Sequence, residues 1–552
     1  MKPALLTAAP SKLPASAASR LAAAGGPLLA TRCSLLATAF TAAAAAVATI
    51  SAFQPFSLSA LCADAPRPHT PRPNIIIFLA DDMGYSQPGC YGGTLAPTPN
   101  IDALAAAGAR FTSGYASAPV CSPSRAALMT GRYQQRTGQD NLINEQPSRF
   151  LPLTETLLPQ LLKQAGYATA MIGKWHLGHT EGYRPIDRGF DTYYGTYNNK
   201  NEVKTYVRQS TPIPKPPIDS PVFAAEAIKF IDAHRAAHPD TPLFLYLPFT
   251  AVHNPIQASP EWLQKFSKTT PPRDRDYAAM VAELDAAIGA VMAAIRKHHL
   301  EENTLVIFTS DNGAPAGDGT HNKPLSGGKW SLLEGGIREP YIVQWKTRIP
   351  PGRVVETPVS QMDIFPTALA AAGATIPATL TLDGVNLLPL LQNQTTTLPR
   401  DALYWRYGPQ YAIRQGDYKL VKSERNQPAA LYNIAKDPSE KKNLIAADPA
   451  RAKTLQTLWD AWNATMLPPR WTDPRSGGLN DRQTNFAAPK KEKKGDKQDR
   501  KDNRDERRAL QPSAPQSNAA PPSNTPSSIA RLSATQPSWS RLKPYSDNED
   551  GD

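Results

Sequence analysis

Between residues 74 and about 371, hydrophobic residues fall into short runs of strand length that alternate with helix-like segments. This alternation predicts a largely parallel sheet with helices on both faces, because parallel strands are joined by crossover helices and buried on both sides. One helix is predicted over 277–295, where apolar residues recur at spacings of three and four. We interpret it as a core helix whose buried stripe consists of Met280, Leu284, Ile288, Val291 and Ile295.

After Thr381 the hydrophobic runs become shorter and are separated by turn residues, followed by a helical pattern at 449–465. The predicted short strands are 402–407, 411–414, 418–422 and 430–432. The fold class is therefore α/β, with a large, mostly parallel sheet sandwiched by helices and a smaller C-terminal antiparallel sheet plus one helix. We expect a catalytic domain at 73–372 and a small α+β subdomain at 373–470.

The N-terminal region has the composition of an export signal. Arg32 precedes an Ala-rich apolar run at 34–53, and small residues and then a polar stretch follow it. We expect residues 1–65 to be a leader and the protein to be exported, either periplasmic or secreted. The alternative is an N-terminal anchor, since the run approaches the roughly 20 residues that a spanning helix needs. Its Ala richness makes it a weak anchor, so no stable membrane span is expected in the mature chain.

The C-terminal region, 471–552, is charged and then rich in Pro and Ser, which predicts a disordered tail. It carries part of the chain's net charge of +12, with ten Lys or Arg and six Asp or Glu between Lys490 and Arg508. No aromatic residue is interleaved there, so a solvated run is favoured over an RNA-binding stretch. We therefore expect no nucleic-acid partner.

Four predicted strands end in residues with reactive side chains. In an open α/β sheet the ligand crevice lies beyond the carboxyl ends of the strands, so these residues should meet in one pocket. Each alone has an ordinary explanation as a turn, capping or structural residue. The residues are Asp81 and Asp82 after 74–80, Lys174 and His176 after 167–172, His253 after 243–249, and Asp311 and Asn312 after 305–309.

The members of this set with side-chain oxygen atoms predict a metal site. Asp81, Asp82, Asp311 and Asn312 offer three carboxylates and one amide, all of them oxygen donors. Hard cations prefer such ligands, and calcium fits best because it accepts carboxylate and amide oxygens in irregular geometry. A thiolate metal site or disulfide framework is not expected, because only Cys90 and Cys121 lie outside the leader.

The most specific local pattern is Cys121-Ser122-Pro123-Ser124-Arg125. Pro123 suits the first position of a helix with Ser122 as its N-cap, which would place Cys121 just before the helix and Arg125 in its first turn. Such a site favours an anion. The alternative is an ordinary buried cysteine before an ordinary helix.

Together with Leu128-Met129-Thr130-Gly131, this pattern closely resembles the sulfatase signature Cys-x-Pro-Ser-Arg, in which a maturation enzyme oxidises the cysteine to formylglycine. The resemblance covers roughly residues 73–466 and identifies the chain as similar to formylglycine-dependent (type I), arylsulfatase-like enzymes of the alkaline-phosphatase-like superfamily. Other landmarks occur in the family's order. They are Asp81-Asp82-Met83-Gly84, Gly173-Lys174-Trp175-His176-Leu177-Gly178, His253, Asp311-Asn312-Gly313, Gly327-Gly328-Lys329 and Glu334-Gly335-Gly336-Ile337-Arg338.

The resemblance implies a mechanism and a role for each residue. A hydroxyl of the hydrated aldehyde at residue 121 attacks the sulfate ester, and the second hydroxyl then expels sulfate. The resemblance assigns one Ca²⁺ to Asp81, Asp82, Cys121, Asp311 and Asn312. Arg125 and His176 would hold the hydrated aldehyde, and His176 would act as the base for elimination. Lys174, Lys329 and His253 would bind the sulfate oxygens, with His253 or Lys329 protonating the leaving alcohol.

Two other functions remain open at this stage. A phosphate or phosphonate ester hydrolase would share the architecture, since a fold does not fix a function. A sulfated-glycan binding protein with an inactive site would lack a nucleophile or ligand, and none is missing. For an exported sulfatase we expect a sulfated small molecule or glycan as substrate, most of all a sulfated carbohydrate, and a formylglycine-generating enzyme as partner. The segment 194–217 is predicted to be a substrate-selecting loop from its position alone.

Overall fold

The computed structural model describes residues 71–199, 204–269, 271–315 and 322–477. The predicted leader and residues 478–552 of the predicted tail lie outside these ranges. Residues 471–477 also belong to the predicted tail, but they are folded, with Trp471 buried and a short 3-10 helix at Pro474–Gly477. The predicted domain boundary at 372/373 stays a prediction.

In the described part of the chain, eleven strands form one large sheet. They are β1 (Asn74–Ala80), β2 (Ala109–Tyr115), β3 (Ala168–Lys174), β4 (Thr192–Thr196), β5 (Thr205–Arg208), β6 (Thr211–Pro214), β7 (Leu243–Pro248), β8 (Thr304–Ser310), β9 (Arg338–Gln344), β10 (Arg353–Val355) and β11 (Val359–Ser360). Their order is β10-β2-β9-β8-β1-β7-β3-β4-β5-β6, with β11 also paired to β2.

The central strands β8, β1, β7, β3 and β4 run parallel. Strand β9 lies antiparallel between β8 and β2, and β5 and β6 extend the other edge as an antiparallel hairpin. The prediction of a mostly parallel sheet is confirmed. The hydrophobic pattern did not distinguish the antiparallel strands from the parallel ones, because a buried strand has the same apolar run in either direction.

Strand β1 shows why the sheet is buried on both faces. All seven of its residues are buried between its two neighbours. Ile76 and Phe78 point into one hydrophobic core, whereas Ile75 and Ile77 point into the other. Successive side chains of a strand point to opposite faces, so one continuous apolar run supplies both cores.

Helices cover the two faces of the sheet. They are α1 (Pro99–Ala106), α2 (Cys121–Thr130), α3 (Leu158–Gln164), α4 (Ser220–Ala237), α5 (Pro260–Lys265), α6 (Pro272–Lys297), α7 (Glu334–Ile337), α8 (Ile364–Ala372) and α9 (Leu388–Leu391). The predicted core helix corresponds to α6, and its five stripe residues are all buried. Among the described residues, α6 alone is long and apolar enough to cross a membrane, and 78% of its apolar window is buried within the fold. Packing in the core therefore accounts for its composition.

The C-terminal sheet has four antiparallel strands, β12 (Leu403–Tyr407), β13 (Gln410–Gln415), β14 (Tyr418–Lys422) and β15 (Ala430–Asn433), followed by α10 (Pro449–Ala464). This confirms the predicted smaller sheet plus helix. One face packs on Leu455 and Trp459 of α10. The other face presents Trp405 and Tyr407 to Tyr115 of β2 and to Trp330, so this sheet supports one side of the catalytic region.

Candidate active site

The four strands that carry the predicted residues are neighbours in the large sheet, in the order β8-β1-β7-β3. Their parallel direction brings the four carboxyl ends side by side, as predicted. Directly after β1, Asp81 is buried, and its Oδ2 lies 2.6 Å from Lys174 Nζ. Burial opposes ionisation of Asp81, but Lys174 and the other nearby cations outweigh it and lower the pKa of this carboxyl. Asp81 is therefore an anion inside the protein.

Asp82 joins β1 to β8 and to the loop that carries Lys329. Its Oδ2 accepts from Lys329 Nζ at 2.8 Å, and its Oδ1 accepts from Asn312 Nδ2 at 2.7 Å. Burial opposes ionisation of Asp82 as well, but Lys329 and His253 lower its pKa. Its φ of 61° lies in the left-handed region, which a non-glycine residue seldom adopts. The surrounding contacts therefore fix a strained backbone at the site.

Cys121 lies at the start of α2, with its Sγ 3.4 Å from Asp81 Oδ1 and 3.6 Å from Lys329 Nζ. Burial, followed by the charge of Asp311, raises the pKa of this thiol well above its usual range. The unmodified side chain is therefore a neutral thiol. If residue 121 is oxidised, Sγ marks the position from which the aldehyde and its hydrate would replace it.

The prediction that Ser122 caps this helix is wrong. The helix begins at Cys121, two residues earlier than predicted, and its N-cap is Val120, which has an extended backbone and no capping side chain. The Ser122 hydroxyl instead accepts from the amide of Ile143 at 3.4 Å. Pro123 is then the third helical residue, where its missing N–H still removes no intrahelical bond. Ser122 thus links α2 to the 139–145 loop rather than to its own helix.

Arg125 is fully buried behind Cys121. Its Nε and Nη2 both donate to Asp311 Oδ2, at 2.9 and 2.7 Å, and its Nη1 donates to the carbonyl of Lys174 at 2.8 Å. Burial alone would lower the pKa of the guanidinium, but Asp311 and Asp81 raise it. Arg125 therefore ties α2 to the ends of β3 and β8.

The two predicted histidines differ in their surroundings. His176 is buried with φ of 60°, and no hydrogen bond to its Nδ1 occurs in the described ranges. Burial and the charge of Lys174 lower its pKa well below the usual range, so the ring is neutral. His253 is 13% exposed, with Nε2 3.6 Å from Asp82 Oδ2. Burial and Lys329 lower the pKa of His253 as well.

Three of the five predicted metal ligands lie close together, and His253, which was not predicted as a ligand, joins them. Ligand atoms of Asp81, Asp82, Cys121 and His253 lie within 4.8 Å of one another. Within the described ranges the buried Oδ1 of Asn312 accepts no hydrogen bond, which leaves an amide oxygen available beside Asp82. Asp311 lies outside that group, and its carboxylate contacts Arg125 and the amide of Asp82.

A cavity of about 460 Å³ opens above this cluster. Its lining includes four predicted residues, Cys121, His176, His253 and Lys329, and seven that the sequence analysis did not predict as site residues. The seven are Leu142, Ile143, Asn144, Glu145, Asn199, Trp330 and Arg475. Trp330 could have been found from its place beside Lys329, and Asn199 lies in the predicted substrate-selecting segment, whereas the other five lie in loops without a recognisable motif.

The predicted substrate-selecting loop at 194–217 is largely wrong as a loop. Much of it forms β5 and β6, and residues 200–203 lie outside the described ranges. Pro212 and Pro214 belong to β6, which in the described part of the chain pairs with β5 at the edge of the sheet, where proline is tolerated. Within this segment, Asn199 is the described residue that lines the cavity.

Comparisons with known proteins agree with this geometry. A family model described as Sulfatase matches residues 73–374, and one described as N-sulphoglucosamine sulphohydrolase, C-terminal, matches residues 328–465. The N-acetylgalactosamine-6-sulfatase of Canis lupus familiaris is 37% identical over 390 residues, which cover 65% of this chain and 72% of that protein. Arylsulfatase A of Homo sapiens is 35% identical over 448 residues, which cover 70% and 86%.

A solved structure matches as well. The crystal structure of Ps i-CgsB in complex with k-i-k-neocarrahexaose has a TM-score of 0.68 and 32% identity, and the match covers 76% of this chain and 98% of that chain. The two family models together span both the large sheet and the C-terminal sheet.

Proposed function

This chain belongs to the sulfatase family and is a sulfuric ester hydrolase, and we propose that it removes sulfate from a sulfated carbohydrate through a formylglycine made from Cys121. The observation that carries the proposal is the position of Cys121 Sγ between Asp81 Oδ1 at 3.4 Å and Lys329 Nζ at 3.6 Å. The carbohydrate class is supported by a relative named for a sulfated amino sugar and by a structural neighbour in complex with neocarrahexaose.

The proposal includes oxidation of Cys121, because the unmodified thiol is a poor nucleophile here. Burial raises its pKa, and a neutral thiol attacks far more slowly than a thiolate. The hydrated aldehyde instead carries two hydroxyl groups. One attacks, and the other restores the aldehyde, which is why formylglycine suits a two-step transfer.

We propose Ca²⁺ as the metal, held by residue 121 together with Asp81, Asp82, Asp311 and Asn312. This choice is supported by the oxygen donors and by the buried Oδ1 of Asn312, which accepts no hydrogen bond from the residues that the structure describes. When bound, a divalent cation would supply a Lewis acid that lowers the pKa of a hydroxyl and orients it. The three carboxylates balance Arg125, Lys174 and Lys329, so the cation would leave two positive charges to attract a sulfate monoester.

In the first step, one hydroxyl of the hydrated aldehyde loses its proton to Asp311 and forms a bond to sulfur, while the bond from sulfur to the alcohol oxygen breaks. Lys174 and Lys329 are assigned to the sulfate oxygens, because their buried ammonium groups can stabilise the charge that develops there. The departing alcohol oxygen takes a proton from His253 or Lys329, both of which line the cavity.

In the second step, the remaining hydroxyl loses its proton, its oxygen forms the aldehyde double bond, and the carbon–oxygen bond to sulfate breaks. His176 is assigned as the base, because its ring is neutral and lines the same cavity as residue 121. Arg125 donates to Asp311 and to the carbonyl of Lys174, and these hydrogen bonds fix the positions of the strand ends behind residue 121.

The proposal includes one protein partner and a destination. A formylglycine-generating enzyme must act on Cys121, because the aldehyde is not a genetically encoded side chain. Export to the periplasm or the medium is proposed from the apolar run at 34–53 and the small residues after it.

The test compares matched aryl esters on protein produced with and without the maturation enzyme. We expect hydrolysis of 4-nitrophenyl sulfate only after co-expression, with kcat/KM at least about a hundredfold above that for 4-nitrophenyl phosphate and phenylphosphonate. Faster turnover of a phosphorus ester would contradict the proposal and favour a phosphate or phosphonate hydrolase. Sulfate release from sulfated oligosaccharides, measured by ion chromatography, then tests the carbohydrate class.

A further inference from the structure

We propose that Arg475, stacked on Trp330 at the mouth of the active-site cavity, binds a second anionic group of the carbohydrate beside the sulfate that is hydrolysed. The ligand is a second sulfate or a carboxylate, because each carries a negative charge and oxygens that accept from a guanidinium. The inference rests on the proposed function and names a finer substrate class, a carbohydrate with more than one negative charge.

Arg475 reaches the cavity on a segment that runs back from α10 over the catalytic region. We call residues 465–477 the return segment. Its backbone is fixed by the amide of Leu467, which donates to the Gln135 carbonyl at 3.1 Å, and by the amide of Arg470, which donates to the Gly138 carbonyl at 2.9 Å. Trp471 is buried, and its Nε1 donates to the Leu142 carbonyl at 2.9 Å.

The residues on both sides of Arg475 are also held. Asn141 Nδ2 donates to the Trp471 carbonyl at 3.0 Å, and Gln410 Nε2 donates to the carbonyl of the buried Ser476 at 3.0 Å. Arg425 then closes the end of the segment, because its amide donates to the Gly477 carbonyl at 2.8 Å. The backbone that presents Arg475 is therefore held on both sides of this residue.

The guanidinium itself is pre-oriented. Its Nε lies 2.9 Å from Asp473 Oδ1 and its Nη2 lies 2.8 Å from Asp473 Oδ2, while its central carbon lies 4.6 Å from the centre of the Trp330 ring. The Arg475 side chain nevertheless remains 45% exposed, whereas that of Asp473 is only 9% exposed. A stacked, ion-paired arginine loses little conformational entropy on binding, so it can add affinity for an anion at low cost.

Trp330 connects this group to the reaction centre. It follows Lys329 directly, has φ of 78°, and lines the cavity together with Cys121 and Arg475. An anion bound at Arg475 would therefore lie along the same wall as the sulfate bound at Lys329.

Glu145 places a carboxylate at the mouth of the same active-site cavity. It is 74% exposed, and its carboxylate is held by Asn198 Nδ2 at 2.7 Å and His179 Nε2 at 3.1 Å. A carboxylate suits the hydroxyl groups of a sugar and repels an anion, so the second negative charge should lie on the Arg475 side.

The experiment uses 4-nitrophenyl sulfate as the reporter substrate, because it carries no second anion. Inhibition constants are measured for a glucosamine with one sulfate, the same sugar with two sulfates, and a monosulfated disaccharide with a uronate. The wild-type enzyme should bind at least one doubly charged sugar about tenfold or more tightly than the singly charged one. The Arg475→Gln variant should lose this difference in affinity. Its KM for aryl sulfate should change by less than about twofold.

Arg451 provides the matched control. It also pairs with an aspartate, Asp448, at 2.8 Å, lies 3.9 Å from the centre of the Tyr418 ring and is 44% exposed, but it belongs to α10 and does not line the cavity. Arg451→Gln should change neither the preference for a doubly charged sugar nor the KM for aryl sulfate. A wild-type enzyme without preference for a second charge, or an Arg475→Gln variant that weakens all ligands equally, would overturn the proposal. A wild-type enzyme that does not hydrolyse aryl sulfate would instead contradict the proposed function.

Discussion

Lys419 of β14 lies with its Nζ 2.9 Å from Glu334 Oε1 at the start of α7, and neither side chain is exposed. Glu440 completes this buried cluster, because its Oε1 is 3.0 Å from the same ammonium and its Oε2 accepts from the amide of Glu334 at 2.7 Å. Glu334 ends the loop that presents Lys329 and Trp330. The C-terminal sheet therefore anchors one wall of the active site through buried charges.

Replacing Lys419 with methionine should strongly destabilise the protein. The substitution leaves two carboxylates buried without their shared cation, and breaking a buried ion pair from one side typically costs about 3–5 kcal/mol. The free energy of unfolding is measured by urea denaturation. Lys453→Met on the exposed face of α10 is the control and should change it by less than about 0.5 kcal/mol. Equal effects of the two substitutions would show that the cluster does not anchor the fold.

The same cluster predicts a pH dependence of stability. Burial raises the pKa of Glu440 from 4.5 to about 7, with Lys419 opposing the rise and Glu334 adding to it. The folded protein thus binds this proton more tightly than the unfolded chain. Its contribution to stability is complete below about pH 4.5 and is lost as the pH rises through about 7, a decline of about 3 kcal/mol.

The Glu440→Gln variant should remove this decline, because glutamine keeps an oxygen for the Glu334 amide but cannot ionise. Relative to wild type, its free energy of unfolding should be higher at about pH 8 than at about pH 5. Glu261→Gln, at a side chain that is 61% exposed, is the control. Its free energy of unfolding should vary with pH in parallel with that of the wild type. If the Glu440→Gln curve is also parallel, Glu440 titrates normally in the folded protein.

Cys121→Ser should abolish multiple turnover while leaving the fold intact. A serine has one hydroxyl, so after a single transfer it has no second hydroxyl with which to expel sulfate. We expect kcat for aryl sulfate to fall by about a thousandfold or more, with at most one product released per enzyme in a burst assay. Cys90→Ser, at the other described cysteine, should retain turnover. Sustained turnover by Cys121→Ser would mean that residue 121 is not the nucleophile.

Removal of the metal should reduce both activity and thermal stability. A ligand at a hundred times its Kd stabilises the folded state by about 2.7 kcal/mol, so chelation should lower Tm and added Ca²⁺ should restore it. Mg²⁺ should restore less, because it keeps its waters and demands regular geometry. Asn312→Ala should weaken the Ca²⁺ response by removing an oxygen that accepts no hydrogen bond among the described residues. A Tm that does not respond to any divalent cation would contradict the metal assignment.

Much of the fold and the floor of the site could be predicted because local patterns determine them. The apolar run of Asn74–Ala80 matches β1 residue for residue, and the strand-end rule correctly placed Asp81 beside Lys174, whose Nζ lies 2.6 Å from Asp81 Oδ2. The N-cap at Ser122 was wrong because its hydroxyl binds a loop that is close only after folding. Arg475 and Glu145 could not be predicted to line one cavity with Cys121, because long-range packing of the return segment and of the 139–145 loop positions them and no periodicity records it.

The most direct test of the central claim is the mass of the tryptic peptide 111–125 from protein made in a host that contains the maturation enzyme. Conversion of a cysteine to formylglycine lowers the peptide mass by about 18 Da, a change fixed by covalent chemistry. We predict this lower mass, and aryl sulfate turnover in proportion to the converted fraction. An unmodified thiol at residue 121 in protein that nevertheless hydrolyses sulfate esters would contradict the mechanism.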